Sequence, residues 1–154
     1  MTSPPSRVWT IEEANAVLPQ VNGLLERQFR RAQEIENCWQ RLQAKAGPVK
    51  ASQEGEQLVI QMDENASPEA KAIQEELYER IVAYEGGWKD VEELGLVIKD
   101  PRTGLCDFYG RMDGKLVWLC WRYGEKTVEF YHELDSGFSG RKAITADARQ
   151  RALN

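Results

Sequence analysis

The sequence predicts an α+β fold, a long antiparallel helical hairpin followed by a four-stranded antiparallel β-meander. Three observations carry that reading. Core-type residues return at steps of three and four along residues 11–46, and again along 70–91, which is the spacing of a buried helix face. After Gly95 the chain changes to short runs of strand-forming residues separated by turn compositions such as Asp100-Pro101-Arg102-Thr103-Gly104 and Asp113-Gly114. Helices first and strands afterwards is the order of an α+β chain.

The first helix opens at Thr10-Ile11-Glu12-Glu13, a capping box. Its threonine hydroxyl can accept from the Glu13 amide while the Glu13 carboxylate reaches back to the cap amide. The seam then runs through Ile11, Ala14, Leu18, Val21, Leu25, Ala32, Ile35, Trp39, Leu42 and Ala46, with Gln28 in its one polar slot. Gly47-Pro48 ends it. Pro19 removes one backbone hydrogen bond and predicts a kink. The second helix starts at Ser67-Pro68-Glu69, a cap residue, a first-turn proline and an acid. Its stripe is Ala70, Ile73, Leu77, Ile81, Tyr84, Trp88 and Val91, and Gly95 terminates it. Gly86-Gly87 inside the pattern costs about 1 kcal/mol per glycine, so a weak point or a close approach by another backbone is expected there. The 47–66 connection carries Leu58-Val59-Ile60 and fits a short strand, a helix extension or a mobile loop equally well.

Four strands are expected, over 96–99, 105–110, 115–121 and 127–132. With Asp113-Gly114 as a two-residue loop, Phe108 opposes Leu119 and Asp107 opposes Cys120. With Gly124-Glu125 as the next loop, Leu119 opposes Phe130 and Cys120 opposes Glu129. One face then holds Cys106, Phe108, Val117, Leu119, Trp121, Val128, Phe130 and His132, and packs on the helices. The other holds Asp107, Tyr109, Leu116, Trp118, Cys120, Glu129, Tyr131 and Glu133, and is expected to be solvated or a subunit interface, or else a ligand site. A slip of one residue in either loop would exchange the faces.

The whole chain, 1–154, reads as one domain: hairpin 10–94, sheet and terminal loop 95–140, and a tail 141–154 that forms a short helix or stays mobile. Its 154 residues, 42% hydrophobic and 29% charged, are enough for a core. A net charge of −5 argues against bulk-charge binding of nucleic acid. No apolar run reaches the length of a membrane span, and Met1–Arg7 lacks the apolar segment of a secretory signal. The three cysteines, Cys38, Cys106 and Cys120, have no CxxC spacing, and free thiols suit a reducing, cytoplasmic setting. Segment 50–93 holds twelve acids against four bases; it is read as a solvated face, or as a docking surface for a basic protein partner.

Chemistry is concentrated in few places. His132, the only histidine, is followed by Glu133 and Asp135; with Asp107 and Cys120 from the sheet these are candidate ligands for a divalent metal. The pattern is not the HExxH helix motif, and the structural alternative is a core-edge histidine bonded to Asp135 or to a carbonyl. Arg122 and Arg141 are candidate anion-binding residues, able also to pair with Glu125, Glu133 or Asp135. A Cys120 nucleophile served by His132 is disfavoured, since the expected register puts the two on opposite faces. No cofactor is expected unless that metal is present.

Trp9–Asn15, the segment Lys99-Asp100 through Phe108, Cys120–Glu125 and His132–Arg141 resemble an uncharacterised bacterial family known as domain of unknown function 2203. The resemblance implies a small bacterial helical-hairpin-plus-sheet protein and carries no activity or catalytic residues with it.

A helix over Thr10–Ala46 would be ~55 Å long, against a diameter of about 40 Å for a compact chain of this length. A four-stranded sheet cannot cover such a seam, so a homodimer through the helices is expected. Two function classes follow. The favoured one is a non-catalytic protein-interaction or scaffold module that self-associates through the hairpin, so the reading leans away from an enzyme. The alternative is a divalent-metal-binding protein or metal-dependent hydrolase centred on His132, Glu133 and Asp135.

Overall fold

A computed structural model describes residues 7–153; Met1–Ser6, which bear on the leader-segment expectation, and Asn154 at the tail's end lie outside the described residues. The elements in order are α1 (Ile11–Ala46), β1 (Lys50–Glu54), β2 (Gln57–Gln61), α2 (Pro68–Glu93), β3 (Val97–Asp100), β4 (Leu105–Met112), β5 (Lys115–Arg122), β6 (Phe130–His132), a 3₁₀ turn (Phe138–Gly140), β7 (Lys142–Ala143) and α3 (Ala146–Ala152). The α+β class and both long helices agree with the sequence reading. Among the described residues no helix is long and apolar enough to cross a membrane. The residues group into two compact units: those up to Glu26 together with Trp88 onward, and Arg27–Gly87.

In the first unit the capping box forms in both directions. The Glu13 amide donates to Thr10 Oγ1 at 3.0 Å and the Thr10 amide to Glu13 Oε1 at 2.9 Å. Ile11, Ala14, Leu18, Val21 and Leu25 are all buried, as the seam requires. Trp9 sits edge-on to Phe108 with ring centroids 5.1 Å apart, so the start of α1 lies on the β4 face that carries Phe108. The sheet has five strands in the order β3-β4-β5-β6-β7, one more than expected. The β4–β5 register is the predicted one, Phe108 opposite Leu119 and Asp107 opposite Cys120. Its turn has positive φ at both Asp113 (53°) and Gly114 (75°), the backbone of a type I′ hairpin. The added strand β7 pairs with β6, and the tail ends in α3, whose Thr145 caps the Ala148 amide.

The β5–β6 register departs from expectation by one residue. Cys120 opposes Phe130, Leu119 opposes Tyr131 and Trp118 opposes His132. The connection is not a two-residue hairpin. The Arg122 amide donates to Glu125 Oε1 and the Trp121 indole to the Glu125 carbonyl. The Val128 amide then donates to Asn15 Oδ1 of α1 at 2.7 Å. That amide is spent on the helix, Thr127–Glu129 do not pair with β5, and the β5 ladder resumes at Phe130, while the Glu129 carbonyl accepts from the Ile144 amide at 2.7 Å. Every side chain of β6 changes face as a result. Phe130 and His132 join Asp107, Trp118 and Cys120, while Tyr131 moves to the face of Phe108 and Leu119.

In the second unit the undecided connection is a β-hairpin, β1 paired antiparallel with β2. Ile60 is buried with Cys38, Leu42 and Leu77. Its amide donates to the Tyr78 hydroxyl and its carbonyl accepts from Gln74, each at 2.7 Å. The chain therefore supplies its own β-layer to part of the seam that the sequence reading had left without cover. Inter-helix ion pairs join Glu76 to Arg41, Glu34 to Arg80 and Glu69 to Lys45.

Gly86-Gly87 neither breaks α2 nor meets another backbone. Gly87 faces the side chain of Gln28, which is buried, donates to the Tyr84 carbonyl at 2.7 Å and accepts from Arg31 at 2.7 Å. A Cβ on Gly87 would land on that amide, whereas one on Gly86 would meet nothing within 4 Å. The two glycines should respond to alanine with opposite signs. Gly86→Ala is expected to raise the unfolding free energy, read by urea denaturation, by up to ~1 kcal/mol through helix propensity. Gly87→Ala is expected to lower it by about 1–3 kcal/mol through overpacking. Equal shifts in one direction would contradict the packing described.

Candidate functional site

The site is assembled on three neighbouring strands. Asp107 of β4 stands opposite Cys120 of β5, and His132 of β6 stands opposite Trp118, two positions along β5 from that cysteine and on the same face. The donor atoms of Asp107, Cys120 and His132 all lie within 4.8 Å of one another. None of the three is more than 2% exposed. The face expected to be solvated or an interface is thus closed within the chain at its centre. Tyr109 stacks on Trp118 with centroids 3.9 Å apart, Lys99 Nζ lies 4.1 Å from the Trp118 ring, and the Arg141 guanidinium lies 3.7 Å from the Phe130 ring.

Hydrogen bonding fixes the histidine. His132 Nδ1 is 2.9 Å from the Glu133 carbonyl oxygen, which can only accept, so Nδ1 carries a proton. Nε2 is 3.0 Å from Asp107 Oδ2, and one proton lies between them, on either the imidazolium or the carboxyl group. Burial pushes the Asp107 carboxyl above its usual range, opposed by His132 and, more weakly, by the Cys120 thiol and Lys99. Asp107 Oδ1 is buried with no hydrogen-bond partner. Such an acceptor costs about 1–3 kcal/mol. Burial also pushes the Cys120 thiol up to about 12, with Asp107 adding to the rise and Arg141 opposing it.

Of the five candidate ligands, Asp107, Cys120 and His132 come together; Glu133 and Asp135 are exposed. Glu133 contributes its carbonyl to His132, and its carboxylate lies 3.5 Å from Lys142. Arg141 pairs with Glu125 at 2.6 Å, whereas Arg122 is exposed with its guanidinium 5.6 Å from the Phe138 ring. Contrary to the expected register, Cys120 and His132 share a face. The pair still fails as a nucleophile and base, because Nδ1 is held by a carbonyl and Nε2 by Asp107, and the thiol is held protonated. Lys99 and Phe130 were missed as neighbours of the site. Alternation along β3 from Val97, which opposes Asp107, was the available signal for Lys99; for Phe130 the wrong register concealed it.

Cys38 and Cys106 are buried too, and their thiols are pushed up to about 11 and about 12 by burial first. In metal-free native protein near pH 8, Ellman's reagent is expected to titrate none of the three thiols within minutes, and all three after unfolding. Rapid modification of Cys120 in the native state would contradict this description of the site.

Residues 7–144 match the family described as "Uncharacterized conserved protein (DUF2203)". No curated protein and no solved structure matches the chain. The match takes in both long helices and the sheet through β7, nearly the whole length. The chain belongs to the DUF2203 family.

Proposed function

We propose that the protein binds one divalent transition metal ion, of the zinc class, through Asp107, Cys120 and His132. The observation that carries the reading is the convergence of a carboxylate, a thiol and an imidazole within 4.8 Å, all buried. Two ligand atoms of a tetrahedral zinc ion, each ~2.0–2.1 Å from it, stand about 3.3 Å apart. Nε2 and Oδ2 are already 3.0 Å apart, so this pair needs to part by only a few tenths of an ångström, with the Cys120 Sγ within 4.8 Å of both. The Glu133 carbonyl on Nδ1 leaves Nε2 as the ligating nitrogen, the usual outer-shell support of a metal histidine. Asp107 Oδ1, which lacks a partner, is the alternative ligating oxygen, so that the carboxylate fills a single coordination position. A mixed N, O and S donor set suits zinc or cobalt better than calcium or magnesium. Three protein ligands leave one tetrahedral position open, the arrangement of hydrolytic rather than purely structural zinc centres.

Cobalt titration of untagged protein tests the reading. One equivalent is expected to bind, with a thiolate-to-cobalt charge-transfer band. His132→Ala should weaken binding at least ~10–100-fold, and Cys120→Ser should abolish the band. Glu133→Gln and Asp135→Asn should leave both unchanged. A folded wild-type chain that takes up no cobalt or zinc would reject the proposal.

Self-association through the helical region is a second reading. It is favoured by an open apolar groove in the Arg27–Gly87 unit, lined by Ile35, Trp39, Leu58 and Ile81. Val82 of α2 is 67% exposed. A second copy presenting the same groove across a two-fold axis is the simplest occupant. Light scattering at micromolar concentration is then expected to give twice the chain mass of 17.6 kDa; the monomer mass would reject self-association and leave the metal proposal standing.

A further inference from the structure

The loop after β6 brings one arginine to the edge of the metal cluster in an uncommon state. Arg141 is 11% exposed along its side chain. Its guanidinium lies 3.7 Å from the Phe130 ring and 4.6 Å from the Phe138 ring. Nη2 donates to Glu125 Oε2 at 2.6 Å, while Nε is buried with no acceptor. Two aromatic rings and one carboxylate therefore hold the group, and its Nε–H points to no protein atom that could take it. Leaving such a donor unpaired costs about 1–3 kcal/mol, more for a charged group.

Its place in the sheet gives that donor a role. Phe130, over which Arg141 lies, is the direct cross-strand partner of Cys120. Paired Cα atoms in an antiparallel ladder are ~4.5–5.5 Å apart with side chains on one face. The guanidinium thus lies over the ring that neighbours the thiol, and its charge is felt there, opposing the effect of burial on Cys120. On the far side of the cluster stands Lys99, whose charge bears on Asp107. Ionised Asp107 and Cys120 would neutralise a divalent ion; with Arg141 balanced by Glu125, the charge of Lys99 remains in excess. A buried acceptor without a donor on Asp107 and a buried donor without an acceptor on Arg141 thus flank one cysteine. The metal satisfies the first, and only an additional acceptor satisfies the second.

We propose that the open position of the metal takes a small oxyanion, of the carboxylate or phosphate class, whose outer oxygen accepts from Arg141 Nε. This rests on the metal site proposed above. Charge-assisted hydrogen bonds from a pinned arginine are the strong kind, and stacking on two rings removes the rotamer freedom that a surface arginine would lose on binding. With Nη2 committed to Glu125, the pairing through Nε uses a single oxygen, which favours small anions over large polyphosphates.

Cobalt-loaded full-length protein, titrated with acetate and separately with inorganic phosphate, tests this through the visible ligand-field bands. One anion per cobalt is expected to bind saturably, and the stronger of the two probes identifies the class. Arg141→Gln is expected to keep one cobalt per chain and to weaken the anion at least ~10-fold. Glu125→Gln, which leaves Arg141 in place and frees Nη2, is expected to bind the anion as tightly as wild type or more tightly; this variant decides the matter should Arg141→Gln fail to fold. Cobalt-loaded wild type that binds neither probe, an Arg141→Gln protein that binds as tightly as wild type, or a Glu125→Gln protein weakened tenfold would each overturn the inference. A wild-type chain without the cobalt band fails at the metal step and takes the inference with it.

Discussion

One hydrogen bond decides which residues share a face of the sheet. The Val128 amide, donated to Asn15 Oδ1, keeps Thr127–Glu129 out of the ladder with β5 and delays that pairing until Phe130. A strand has a side-chain period of two, so the delay by one residue exchanges inside for outside along all of β6. With the shorter loop, His132 would oppose Val117, on the face of Phe108 and Leu119. With the observed one it meets Asp107 and Cys120. The capping box and Trp9 fix where α1 begins on the sheet, which places Asn15 where it can take that amide. The site therefore depends on the docking of α1 as much as on the strands that carry its side chains.

A buried carboxylate, imidazole and thiol are a poor way to stabilise a core. Desolvating the charged form of such a pair offsets most of its attraction, and apolar residues of similar volume often do as well or better. Here the arrangement is also incomplete, since Asp107 Oδ1 and Arg141 Nε have no partners. The contrast with Gln28 is instructive. That buried amide is bonded on both sides, to Tyr84 and to Arg31, and seats Gly87 against it; it is a completed packing device. The Asp107 cluster is instead left with an unpartnered acceptor, and the readings proposed for it follow from that difference.

Much of the fold was legible in the sequence because its signals are local. The capping box, the Ser67-Pro68 start, the seam of α1 from Ile11 to Leu25 and the Asp113-Gly114 turn each depend on residues within a few positions of one another, and each formed as read; farther along α1, Ala32 is exposed and Cys38, outside the expected seam, is buried. The hairpin of β1 and β2 was not legible. Its strands are polar and exposed except around Ile60, and Tyr78 and Gln74 of α2 hold it by contacts distant in sequence. The site was half legible. The β4–β5 register, fixed by a two-residue turn, placed Asp107 opposite Cys120 correctly. The β5–β6 register depends on Asn15, more than a hundred residues away from Val128, and no local pattern reports such a bond. For that reason His132 was assigned to the wrong face, and Glu133 and Asp135, its neighbours in sequence, were given weight that the three-dimensional arrangement does not support.

The most direct test of the central claim is X-ray absorption at the metal edge of zinc-loaded protein. The account predicts one sulfur scatterer at ~2.3 Å, from Cys120, with nitrogen and oxygen neighbours at ~2.0–2.2 Å and outer-shell scattering from a single imidazole. A shell of nitrogen and oxygen alone, or two or more sulfurs, would contradict it, since either result would place the ion away from the meeting point of Asp107, Cys120 and His132.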